Sequence, residues 1–202
     1  TTAATDADSD ALTYALTGTD AASFSIDATT GQVKLLTPAD FEVKSSYSIT
    51  VNAKDASHTT TKAVTINVTD ANEAPTNVSL SASSVAENTS TASALTIGAL
   101  TSTDPDTGNT FTYSIVGGAD QASFQVSGAN LQFVAGTTLD YETKSSYAVT
   151  VRSTDQGGLT YDKALTVNLT NVNEAPTAAN FTSAGLDNTT AITGASVGTL
   201  AA

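Results

Sequence analysis

The stretch Asp70-Ala71-Asn72-Glu73-Ala74-Pro75 returns about a hundred residues further on as Asn171-Val172-Asn173-Glu174-Ala175-Pro176. Each copy ends in a proline, which stops strand pairing and stiffens the exit, so the pair reads as two hinges between successive copies of one domain. Outward from the hinges the repeat continues. Glu142-Thr143-Lys144-Ser145-Ser146-Tyr147 matches Glu42-Val43-Lys44-Ser45-Ser46-Tyr47 one hundred positions earlier. The 202 residues therefore divide into units of about 100, each large enough for a modest core. The expected units are 1–72, a repeat lacking its first strand; 73–173, a complete repeat; and 174–202, the start of a third.

Within the units the period is two. Tyr14 and Leu16 alternate with Thr13, Ala15 and Thr17, and Tyr47, Ile49, Val51 and Ala53 alternate with Ser48, Thr50, Asn52 and Lys54, the pattern of half-buried strands. Asp27 to Gly31 punctuate a hairpin between Phe24-Ser25-Ile26 and Val33 to Leu35. The second unit repeats the order with Tyr113 and Ile115, Phe124 and Val126, Leu131 and Phe133, Tyr147 to Val151, and Leu165 to Leu169. Short strands rich in β-branched residues, closely spaced turns and no helical period predict an all-β fold of tandem Greek-key sandwiches. About seven strands are expected per complete unit. Residues 177–202 follow the second hinge as Val78 to Leu100 follow the first, with Leu186-Asp187-Asn188 in the place of Ala86-Glu87-Asn88. This tail is expected to be an orphan that pairs between molecules or stays disordered.

Composition narrows the chemistry. Cysteine, methionine and tryptophan are absent and there is one histidine, His58, which reads as an exposed loop residue. No disulfide framework, thiolate metal site or nucleophilic triad is available. Twenty acids against seven bases give a net charge of −13, which argues against nucleic acid and anionic membranes as partners and favours cations. No run of 18 apolar residues and no export signal is evident, so the chain reads as a window cut from something longer. Its Thr, Ser and Ala richness points to an extracellular setting.

The acids concentrate in loops and hinges. Asp40, Glu42, Asp70, Glu73, Asp104, Asp106 and Asp155 are placed to converge on one junction between units. Two like charges ~5 Å apart repel by about 3 kcal/mol at an effective dielectric near 20. A hard cation with oxygen ligands reverses that sign. Calcium, which takes roughly 6 to 8 oxygens, suits the set better than magnesium, which insists on octahedral geometry, or zinc, which prefers nitrogen and sulfur.

Several segments resemble the cadherin repeats. Leu139-Asp140-Tyr141-Glu142 is similar to the family's Leu-Asp-Arg-Glu motif, with Ala39-Asp40-Phe41-Glu42 a looser counterpart. Asp70 to Pro75 resembles the Asp-x-Asn-Asp-Asn-x-Pro linker, and Val85-Ala86-Glu87-Asn88 the Pro-Glu-Asn opening. Asp104-Pro105-Asp106 resembles Asp-x-Asp, and Thr154-Asp155-Gln156-Gly157 the x-Asp-x-Gly loop. The resemblance implies calcium at each junction, held by side chains of Asp40, Glu42, Glu73, Asp104, Asp106 and Asp155, with backbone oxygens of Asn72, Ala74 and Asn109. Glu73 stands where the linker has aspartate and Ala74 where it has asparagine, and the glutamate that the first repeat would contribute falls before residue 1. Asp6, Asp8 and Asp55 at one end, and Glu87, Asp140, Glu142, Asn173 and Glu174 at the other, are the implied half-sites. The Asn-Glu-Ala-Pro hinge and the lack of cysteine look most like the cadherin-like repeats of large bacterial surface adhesins.

The function this implies is a calcium-rigidified extender and adhesion segment of a cell-surface or secreted protein. Its implied partners are calcium, neighbouring repeats, identical molecules or cell-surface ligands. The alternative is a carbohydrate-binding or spacer module of a polysaccharide-active enzyme. Aromatics make up only 6% of the chain and sit mostly at core-like strand positions, which ranks this alternative lower. With no nucleophile and base pair, the chain does not read as an enzyme.

Overall fold

The computed structural model describes residues 4–176, 180–183 and 198–201. The complete repeat contains eight strands: β6 (Asn77–Leu80), β7 (Ser84–Ala86), β8 (Leu95–Thr103), β9 (Thr112–Gly117), β10 (Phe124–Ser127), β11 (Asn130–Phe133), β12 (Ser146–Thr154) and β13 (Thr160–Thr170). They form two four-stranded sheets, β10-β11-β8-β6 and β7-β13-β12-β9. The expected seven become eight because the opening strand breaks between β6 and β7. β6 pairs antiparallel with β8 in one sheet, whereas β7 crosses over and pairs parallel with β13 in the other.

The alternating pattern supplies the core between these sheets. Leu131, Phe133, Val149, Val151 and Val167 are each at most 1% exposed. Phe124 stacks on Phe133 with centroids 4.9 Å apart, and Tyr147 meets Phe133 edge-on at 5.1 Å, a geometry that suits the ring quadrupoles. The Tyr147 hydroxyl escapes burial without a partner by donating to the Thr138 carbonyl at 3.0 Å.

Strand β8 is absent from the sequence reading. Its signal is broken by a bulge: Ile97 and Gly98 are buried in succession, and the register against β11 shifts between Leu131 and Gln132, so simple alternation fails. Gly98 sits where an added Cβ would lie 2.8 Å from the Ala82 amide nitrogen, which leaves no room for a side chain.

The first repeat contains β1 (Thr13–Thr17), β2 (Phe24–Ile26), β3 (Val33–Leu35), β4 (Ser46–Lys54) and β5 (Thr59–Asn67). Sheet β1-β4-β5 is the counterpart of β9-β12-β13, and hairpin β2-β3 of β10-β11. Among the described residues it has no counterpart of β6, β7 or β8. The energetic consequence is a thin core. Among the described residues, Phe24, Tyr47 and Ile49 are the buried apolar residues there, and Leu35 at the Phe133 position is 37% exposed.

The tail also departs from expectation. β14 (Asn180–Ser183) pairs antiparallel with β15 (Gly198–Ala201) within the chain, so these two strands are paired intramolecularly. The Leu186-Asp187-Asn188 segment lies outside the described residues.

These two cores differ enough to test. Leu131→Ala should cost about 2–5 kcal/mol, whereas Leu35→Ala should cost about 1 kcal/mol or less. Urea denaturation followed by tyrosine fluorescence measures both, and equal losses would contradict the half-open first repeat.

Candidate metal centre

Three local devices bring acids to the junction between the two repeats. In the turn before β4, the Lys44 amide donates to the Asp40 carbonyl at 2.9 Å and the Val43 amide to Asp40 Oδ1 at 3.0 Å. Asp40 thus caps its own turn, and Glu42 projects from it. After β8, the Asp106 amide donates to Asp104 Oδ1 at 3.0 Å, an Asx-type turn that sets the two aspartates side by side. After β12, the Leu159 amide donates to Asp155 Oδ1 at 2.8 Å, which fixes a carboxylate that is 6% exposed.

The hinge threads between these turns without joining a sheet. Glu73 donates its amide to Asp106 Oδ2 at 2.9 Å, and the Asn72 side chain donates to Asp155 Oδ2 at 2.9 Å and to the Glu73 carbonyl at 3.2 Å. An added Cβ on Gly157 would lie 2.6 Å from the Asn72 carboxamide, so the glycine is what lets the hinge close on this loop.

As a result Glu42, Asp70, Glu73 and Asp106 each place a carboxylate oxygen within 4.8 Å of the others. Beside them Asp104 Oδ2 and Asn109 Nδ2 are buried with no hydrogen-bond partner, a costly state for polar groups. Asp104 and Asp155 adjoin the group of four through Asp106 and Asn72. Asp40, expected among the ligands, is exposed, and its Oδ1 caps its own turn. Asn72, expected to offer a backbone oxygen, uses its side chain to tie Asp155 to the hinge.

The electrostatics are those of uncompensated charge. Loss of water and then the charges of Glu42, Asp106 and Asp70 push Glu73 above the ordinary glutamate value. Asp155 goes the other way: loss of water raises it, but hydrogen bonds from Asn72 and the amides of Leu159, Gly158 and Gly157 outweigh that and lower it. Among the described residues no lysine or arginine forms an ion pair with any of the four carboxylates.

A second group, Glu87, Asp140 and Glu142, gathers at the far end of the complete repeat. Glu87 is 2% exposed and accepts the amides of Val172 and Tyr141, both at 2.7 Å, tying the second hinge to the Asp140 turn. Asn171 donates to Glu142 at 2.7 Å and Asn88, at φ 58, to Glu174 at 2.6 Å. Glu142 is pulled down by its own amide, but loss of water and the charges of Glu87 and Glu174 leave it raised overall. Asn173 is exposed. Asn171 and Asn88 were missed by the sequence reading; hinge-on-hinge alignment, which sets Asn171 on Asp70, carries the signal for the first.

At the opposite end, Asp6 Oδ1 accepts the Asp8 and Asp10 amides at 2.9 and 3.1 Å, repeating the Asp104 turn, and Asp8 is exposed. Asp55 holds the amides of Ser57 and His58 and lines a shallow hollow with Asp6, Leu12 and His58. The His58 side chain is 87% exposed, as a surface loop residue should be.

Comparison with known proteins meets this geometry. The chain is 30% identical over 172 residues to mouse cadherin-related family member 2, covering 81% of this chain and 13% of that protein. It is 34% identical over 164 residues to human cadherin-23, covering 76% of this chain and 5% of that protein. The chain thus spans a small fraction of these relatives. Among solved structures, human protocadherin-24 EC1-2 superposes with a TM-score of 0.68 at 21% identity, covering 84% of this chain and 87% of that one. The protocadherin gamma B4 extracellular domain does so with 0.58 at 27%, covering 85% and 28%. These relatives are animal cadherins, and they lend no support to the narrower likeness to bacterial adhesins. The cadherin domain family matches residues 1–69 and 81–170, and with the sandwich and its acidic junction this places the chain in that family.

Proposed function

We propose that this chain is a tandem of cadherin repeats, 1–72, 73–173 and 174–202, whose junctions bind calcium and stiffen on doing so. The observation that carries the reading is the group Glu42, Asp70, Glu73 and Asp106 with the partnerless Asp104 oxygen beside it. These donors are all oxygen, which fits a hard cation, and they come from both repeats and the hinge. Glu42, Asp70, Glu73, Asp104 and Asp106 would hold the ion, with Asp155, Asn72 and Asn109 completing the shell. Calcium held by these residues would supply positive charge that offsets their repulsion. Glu87, Asp140, Glu142, Asn173 and Glu174 serve the next junction, and Asp6, Asp8 and Asp55 the preceding one.

Such a rod suits an extracellular or cell-surface protein in which repeats extend a contact surface for cell adhesion, between identical molecules or with other surface ligands. The relatives named above are cadherins by name, which supports that role.

Calorimetric titration tests the metal directly. Calcium should bind and magnesium should bind more weakly, and Asp106→Asn should weaken calcium by about tenfold or more, or about 1.4 kcal/mol. Unchanged affinity in that variant would remove Asp106 from the ligand set.

The metal-free protein should show the opposite sign for the same group. Because the folded-state value of Glu73 is raised, its contribution to stability is full below the ordinary glutamate value and is lost as pH rises through the raised one. In chelator at neutral pH, Glu73→Gln should therefore melt at or above the temperature of the parent, while losing most of the gain that calcium confers. Thermal melts of both proteins from pH 4 to pH 8 check this; a variant that melts lower without metal and gains fully with it would contradict the assignment.

A further inference from the structure

Each ligand-bearing turn carries a lysine that does not meet its carboxylates. Lys44 and Lys144 each donate a backbone amide to the carbonyl four residues earlier, of Asp40 and Asp140, both at 2.9 Å. That hydrogen bond closes a single turn from each acid to its lysine. The two side chains do not pair. Lys44 Nζ lies 2.9 Å from Asp20 Oδ1 and Lys144 Nζ 2.8 Å from Asp120 Oδ1, while the Asp140 oxygens take the amide and hydroxyl of Thr143 instead.

The device is built the same way twice. The second oxygen of Asp20 accepts the Ser48 amide at 2.7 Å and that of Asp120 the Ala148 amide at 2.8 Å, so each aspartate is pinned to the strand that follows the turn. Each ammonium also sits over a core tyrosine ring, Lys44 5.3 Å from Tyr47 and Lys144 5.2 Å from Tyr147. Gly118, at φ +104, lets the Asp120 loop approach so closely that an added Cβ would lie 2.5 Å from the Val149 Cα. Released, Lys44 would lie two residues from Glu42 and Lys144 two residues from Glu142, each a member of an acidic group, and would act as an internal competitor of a cation.

We infer that Asp20 and Asp120 are positioning residues that draw Lys44 and Lys144 away from the acidic groups and so keep those carboxylates available to calcium. The inference rests on the calcium reading above. The oxygen that accepts the strand amide survives in Asp20→Asn, but the charge that holds Lys44 does not. Calorimetric calcium titration of the full chain should show affinity at the junction falling about twofold to fivefold in Asp20→Asn, the range of an exposed ion pair. Asp20→Asn/Lys44→Met should return to the parent value, because the competing ammonium is gone.

A purely structural role predicts no such rescue, so a double variant as weak as the single, or a single variant equal to the parent, overturns the inference while leaving calcium binding intact. A parent chain that binds no calcium overturns both. Should Asp20→Asn fail to fold, Lys44→Met alone decides. With Lys44 already neutralised by Asp20, its loss should change affinity by less than about twofold, and a tenfold gain would show that the lysine weighs on the site despite Asp20.

Discussion

Mutual repulsion among carboxylates that the fold will not let separate is the constraint from which the junction follows. Glu42 comes from a turn of one repeat, Asp106 from a turn of the next, and Asp70 and Glu73 from the hinge, yet their oxygens meet within 4.8 Å. Asp106 is held there by backbone chemistry that does not depend on metal: the Glu73 amide donates to its carboxylate and its own amide donates to Asp104. Folding energy thus assembles a site of the wrong sign for itself. A cation held among them would relieve this, which is the basis of the proposed stiffening.

The sandwich makes that assembly possible because its loops are anchored to a dry core. Leu139, 4% exposed, sits one residue before Asp140, and Tyr147 holds the start of the same turn through its hydroxyl. Glu87 spends both oxygens on the backbone of the turn and of the hinge, so it organises the second acidic group as much as it adds charge to it. The Asp120–Lys144 pair closes the far side of that turn. The carboxylates are therefore exposed on a rigid mount, and charge rather than flexibility is what a ligand has to overcome.

The hinge repeat and the two-residue period were legible because both are local: Tyr47, Ile49 and Val51 alternate whatever lies around them. The acids were legible as a set because no apolar strand would place them elsewhere. What the sequence hid is what depends on crossing distances. β8 was lost to a bulge at Ile97-Gly98, and the break that sends β6 and β7 to opposite sheets leaves no local mark. That Asp40 caps its own turn through Oδ1 likewise depends on local geometry that no motif spells out. Asp20 and Lys44 are 24 positions apart in sequence and belong to no motif; only their recurrence as Asp120 and Lys144 one hundred positions later betrays them.

Small-angle X-ray scattering of the chain in excess calcium and then in chelator tests the central claim most directly, because it reads the hinge rather than the ion. If calcium aligns the repeats, the maximum dimension should rise and the cross-section narrow with metal, and chelator should reverse both. Superimposable curves in the two conditions, at calcium concentrations that saturate binding, would contradict the view that charge at the junction governs the stiffness of the rod.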